Sequence, residues 1–166
     1  MSKSSVRPAG DVEKVLHLHG SLLFRTSLII LGNAQDAEDV VQETMLSYMQ
    51  KAPFFEDEEH EKAWLLTVLT NKCRDLQRFR MRHPAIDVEE IKEFIGKEEA
   101  NDSNSGILEA LMSLPEKFRT VLVLYYVEGY QTEEIAKIIG RSASAVKMRL
   151  QKGRRLLEDV YRKEYL

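Results

Sequence analysis

Cysteine is nearly absent from this 166-residue chain: Cys73 stands alone, so no intramolecular disulfide and no cysteine-built zinc site can form. Four histidines, of which only His17 and His19 are close in sequence, make no metal-ligand spacing. No run of 18 apolar residues occurs, which excludes a hydrophobic transmembrane helix. The first residues, MSKSSVRPAGD, lack the apolar stretch of a secretory signal. A soluble protein of the reducing cytoplasm is the expectation. Glycine (8) and proline (4) are few and sit mostly where helices should end, and strand-like alternation is scarce. With 43% hydrophobic residues, the chain can build a core.

Net charge is only −3, so a uniformly basic nucleic-acid coat is excluded, yet the charge is segregated. Residues 1–83 carry 11 basic and 12 acidic side chains, residues 84–106 carry 2 and 7, and residues 107–166 carry 11 and 8. Within the last block, Arg141 to Lys163 holds 8 basic residues against 2 acidic. A basic stripe in a near-neutral chain points to a local nucleic-acid footprint.

Periodicity and punctuation predict an all-α fold. The first helix covers 11–31, with Val12, Leu16, His19, Leu23 and Ile30 inward, and ends at Gly32-Asn33. The second runs from Ala34 to Lys51 and stops before Pro53. A loop at 53–61 leads to a third helix, Glu59 to Arg82, ended by His83-Pro84. Residues 84–106 read as a flexible acidic linker with an amphipathic turn at Val88 to Ile95. Short helices at Ile107–Leu114, from Pro115 to about Glu128, and at Thr132–Ile139 precede a last helix from Ser142 to about Tyr165. The expectation is two small helical domains, 1–83 and 107–166, joined by the linker 84–106.

The segment TEEIAKIIGRSASAVKMRL has helix-turn-helix spacing: a small residue (Ala136) where two helices cross, glycine (Gly140) in the turn, and an apolar pin (Val146) on the second helix. Val146, Leu150, Gly153 and Leu157 fall inward on that helix. Ser144, Lys147, Met148, Gln151, Lys152, Arg154 and Arg155 form the face for DNA, where arginine and lysine pair with phosphates or guanine edges.

On the second helix, Asp36, Asp39 and Glu43 fall on one side with Leu46 beside them, opposite Ala37, Val41, Thr44 and Tyr48. From physics alone this is a solvated acidic face; the sharper reading is a docking face for a basic partner. On the third helix, Asn71, Arg74, Arg78 and Arg82 lie opposite Leu65, Leu69, Cys73 and Leu76. Basic residues flanked by Trp64 and Phe79 suit single-stranded DNA, whose phosphates are tracked and whose bases stack; Trp64 taken alone reads as core. A one-component DNA-binding regulator and a hydrolase holding magnesium on Asp36, Asp39 and Glu43 are the alternatives. The first needs a dimer interface or effector pocket, the second a converging nucleophile or base, and neither is evident.

Three blocks, LGNAQDAEDVVQETML, KAWLLTVLTNKCRDLQRFR and LPEKFRTVLVLYYVEGYQTEEIAKIIGRSASAVKMRLQKGRRLL, come in the order and spacing of one family. Together they resemble the extracytoplasmic-function class of bacterial RNA polymerase sigma factors. The resemblance implies a promoter-specificity subunit rather than an enzyme, with no cofactor or metal. Its partners would be core RNA polymerase, promoter DNA and an anti-sigma factor. Residues 1–83 would bind core polymerase through Asp36, Asp39, Glu43 and Leu46, and would recognise and melt the −10 element through Trp64, Asn71, Arg74, Arg78 and Arg82. Residues 107–166 would read the −35 element. The loop FFEDEEHEK departs from the pattern in being acidic where melted DNA is expected nearby.

Overall fold

The structure is a computed structural model that describes residues 7–80, 93 and 103–165. The amphipathic turn expected at Val88–Ile95, most of the linker, and Arg82 lie outside the described residues.

Three helices make the N-terminal half: α1 (Ala9–Leu31), α2 (Ala34–Lys51) and α3 (Glu58–Arg80). Four make the C-terminal half: α4 (Ser103–Met112), α5 (Glu116–Leu122), α6 (Thr132–Ile139) and α7 (Ala143–Tyr165); the helix expected at Ile107–Leu114 thus begins four residues earlier, within the expected linker, and ends two residues earlier. No strand occurs among the described residues.

Local chemistry sets the joints. Gly32 takes φ 72°, and its N–H donates to the Leu28 carbonyl at 2.8 Å, closing α1 in a left-handed cap. The Asn33 side chain accepts from the Asp36 N–H at 2.9 Å and opens α2 one residue later. Asp57 accepts from the His60 N–H at the start of α3, where Glu58, Glu59 and Glu61 complement the helix dipole. Pro115 precedes α5, which does not continue to Glu128 as a single α-helix: its final turn, Val123–Val127, widens to π-helical geometry. In the helix-turn-helix, Gly140 takes φ 68°, and the Ser142 hydroxyl accepts from the Ala145 N–H at 3.1 Å to cap α7.

Packing revises the inward set of α1. Val15, His19, Leu23 and Ile30 are buried, whereas Leu16 is 45% exposed and Val12 is partly covered. Every residue from Thr26 to Leu31 is buried, because the end of α1 is enclosed by α2, α3 and the C-terminal half. The buried apolar residues form one cluster from Val15 to Leu150, spanning both halves.

Polar bonds cross between the halves as well. Arg119, buried on α5, donates to the Ile29 and Ile30 carbonyls at the end of α1 and to its neighbours Met112 and Leu114. It satisfies helix-terminal carbonyls that water would otherwise solvate. Arg25 of α1 forks onto Glu128, which also accepts from the Thr26 hydroxyl at 3.2 Å. Lys62 of α3 lies 5.2 Å from the ring centre of Tyr130, and α6 packs on α3.

Candidate nucleic-acid and polymerase interface

The helix α7 is one-sided. Val146, Leu150 and Gly153 are buried and Leu157 is partly so. A Cβ on Gly153 would come within 3.2 Å of Leu122 and 3.4 Å of Phe118, so glycine lets α7 approach α5 closely. Ser144, Lys147, Met148, Gln151, Lys152, Arg154 and Arg155 are exposed together, and Met148 is an uncovered apolar side chain at 69% exposure. Arg154 does not stand free: its Nε donates to the Leu150 carbonyl, and its guanidinium lies about 6 Å from the rings of Tyr125 and Tyr126.

The acidic residues of α2 divide. Asp39 and Glu43 are exposed and Leu46 is 52% exposed, but Asp36 is only 4% exposed. This corrects the expectation that Asp36 sits outside the core. It lies in the first turn of α2, where the chain has just reversed against α1, so helical position does not carry it to solvent. The three carboxylates border a cavity of about 320 Å³ with Val40 and with Lys72, Asp75 and Leu76 of α3. Lys72 Nζ stands 3.9 Å from Glu43. Reading α2 alone missed this α3 wall. Among the described residues, no three His, Cys, Asp or Glu side chains converge as a metal site requires.

On α3, Asn71 and Arg74 are partly covered and bonded to one another at 2.7 Å, while Arg78 is exposed. Trp64 is held edge-on to Tyr48 and Phe55, at 6.1 and 5.9 Å between ring centres. The structure therefore places Trp64 in an aromatic cluster, in line with its residue type. Phe54 and Phe79, 82% and 87% exposed, are the uncovered aromatic rings of this half. Phe54 was missed in sequence because it reads as loop; the doublet Phe54-Phe55 in an acidic segment was the available signal. Cys73 is fully buried, which pushes its thiol pKa well up.

The fold thus carries a basic, solvent-facing helix-turn-helix helix and, separately, an acidic cavity between α2 and α3. Residues 15–83 match the model of sigma-70 region 2, and residues 105–157 match that of sigma-70 region 4. The chain is 30% identical over 149 residues to the RNA polymerase sigma factor SigV of Bacillus subtilis, covering 89% of each chain. It is 34% identical over 138 residues to the ECF sigma factor SigL of Mycobacterium tuberculosis, covering 80% of this chain and 78% of that one. Among solved structures, the sigma factor RpoE of Bartonella quintana, in complex with the anti-sigma factor NepR, superposes with a TM-score of 0.69. The identity there is 22%, covering 94% of this chain and 99% of that chain, which is a likeness of fold. The chain belongs to the extracytoplasmic-function class of RNA polymerase sigma factors, which are transcription initiation factors and not enzymes. No helix among the described residues is long and apolar enough to cross a membrane.

Proposed function

We propose that residues 1–83 form the polymerase-binding and −10-reading domain and residues 107–166 the −35-reading domain, with 84–106 as the link between them. In this reading Asp39, Glu43 and Leu46 make the docking face for core polymerase, and Asp36 orders the start of α2 beneath it. Arg74, Arg78 and Arg82 track the −10 strand with Asn71. Trp64 braces the cluster that carries Phe54 and Phe55, so it serves the melted strand through that scaffold. Ser144, Lys147, Met148, Gln151, Lys152, Arg154 and Arg155 face the −35 element. The protein works in the cytoplasm, and an anti-sigma factor, of the kind bound in the Bartonella complex, holds it in reserve.

The observation that carries this reading is the asymmetry of α7: apolar residues and a close-packing glycine on one side, basic and polar residues on the other. Run-off transcription with core polymerase over a library of genomic promoters tests it. Promoter-selective transcripts that depend on the added protein are the expected result. Their absence, with core binding intact, would refute the assignment of the DNA-reading faces.

A further inference from the structure

Between α3 and the C-terminal half lies a cleft of about 370 Å³ whose charged lining comes from four places in the chain. Arg74 and Arg78 come from α3, Glu116 and Lys117 from the start of α5, Arg141 from the helix-turn-helix turn, and Arg149 from α7. We infer that this cleft is a binding site for a compact polyanion carrying two or three linked phosphates.

Five cations face one carboxylate. Glu116 already accepts from the Thr120 hydroxyl at 3.0 Å. Among the described residues, no carboxylate forms an ion pair with any of the five. Arg74 has a buried Nε without an acceptor. The cations also feel one another across the boundary between the halves. Burial lowers the pKa of Arg149, and the charges of Arg141 and Arg74 lower it further, while Glu116 opposes them. Arg78, Lys117 and Arg141 reach solvent while Arg74 and Arg149 are partly covered; like charges gathered at one cleft raise the energy of the empty site, and an anion relieves it.

Shape and charge select the ligand class. The volume lies in the range of small-molecule sites, about 300–1,000 Å³, and is too small for a nucleic-acid duplex. Four of the five cations are arginines, whose planar forks pair bidentately with phosphate oxygens. Five positive charges against one negative call for an anion of several charges, which a single phosphate does not supply. Because the cations belong to both halves, the ligand binds only when these lie together, and so favours that arrangement by its differential affinity. The cleft shares Arg74 and Arg78 with the proposed −10 contact, but Arg141 and Arg149 take no part in that contact, so substituting these two separates one proposal from the other.

The test is calorimetric titration of sodium tripolyphosphate into the full chain at fixed ionic strength, with sulfate in a parallel arm. One-to-one saturable binding, accompanied by a rise in melting temperature, is expected. Arg141→Gln with Arg149→Gln should weaken it roughly tenfold or more. Arg78→Gln, at an exposed position, should weaken it in the same direction without touching the fold. Arg162→Gln with Lys163→Gln, at the far end of α7, should leave it unchanged. Sulfate binding as tightly as tripolyphosphate, or equal losses in the two double variants, would mean general charge attraction and overturn the proposal. So would a single-stranded oligonucleotide of equal phosphate content that depends on Arg141 and Arg149 as strongly, since the cleft would then belong to nucleic acid.

Discussion

Glu128 is sealed against Arg25. Its side chain is 2% exposed, and both of its oxygens lie 3.1–3.2 Å from the guanidinium, across 103 positions of sequence. The pair joins the α1 end to the turn that follows α5, beside the place where Arg119 holds the α1 carbonyls. Removing one partner of a buried pair costs roughly 3–5 kcal/mol, because the other is left charged and unpaired. Arg25 is 22% exposed, so Arg25→Ala should fall near the low end of that range. Adding Glu128→Gln should recover part of the loss. Thermal melts of the two single variants and the double variant check this, and strictly additive losses would show that the pair is not coupled.

The proposed docking face makes a prediction that separates its members. Asp39→Lys with Glu43→Lys sets positive charge where a basic partner is expected, a mismatch worth several kcal/mol at an interface. Both residues are exposed, so the melting temperature should hold while a pull-down of core polymerase is lost. Leu46→Ala should weaken the pull-down in the same way. Asp36→Lys, by contrast, should lower the melting temperature itself, since it drives an unmatched cation into a buried position. A folded charge-reversed protein that still captured polymerase would leave the acidic face merely solvated.

On α7, the helix proposed to read DNA, Lys147 and Arg154 should behave differently. Lys147→Ala should weaken binding to all promoters alike and reduce the salt slope by about 1, as loss of a phosphate contact does. Arg154 must leave the Tyr125 and Tyr126 rings to reach a base. Arg154→Ala should relax the preference at one −35 position at a cost of about 1–3 kcal/mol. Binding titrations over single-base promoter variants distinguish the two patterns. Uniform weakening by both substitutions would remove base readout from Arg154.

Tyr48 gives the N-terminal half an alkaline limit. Its hydroxyl donates to Glu61 at 2.9 Å, and burial, followed by that bond and the Glu61 charge, raises its pKa to about 12. The folded phenol binds its proton more tightly than the unfolded one, whose pKa is about 10. Its contribution is therefore complete below pH ~10 and is lost as pH rises toward 12. Tyr48→Phe should cost about 1 kcal/mol at neutral pH by deleting the hydrogen bond, and should flatten the fall above pH ~10. Buried Tyr130, raised in the same direction, leaves a residual slope. Denaturant melts from neutral to alkaline pH measure both effects, and an unchanged alkaline limb in the variant would clear Tyr48 of the role.

Most of the helix boundaries and the whole of the helix-turn-helix followed from sequence alone, because their causes are local. Gly32 and Gly140 can take the positive φ of a helix end without steric cost; Asn33 and Ser142 cap within three residues; the two sides of α7 follow from a period of 3.6 residues. A helical wheel carries no information about which neighbour covers which turn. That is why Val15 took the core place expected of Leu16 and why Asp36 was drawn inside. The joining of the halves by Arg25, Arg119 and Glu128, and the gathering of Arg74, Arg78, Lys117, Arg141 and Arg149 around one cleft, were decided only by the tertiary structure. Those contacts link residues far apart along the chain, and no spacing or propensity within a single helix records such a meeting.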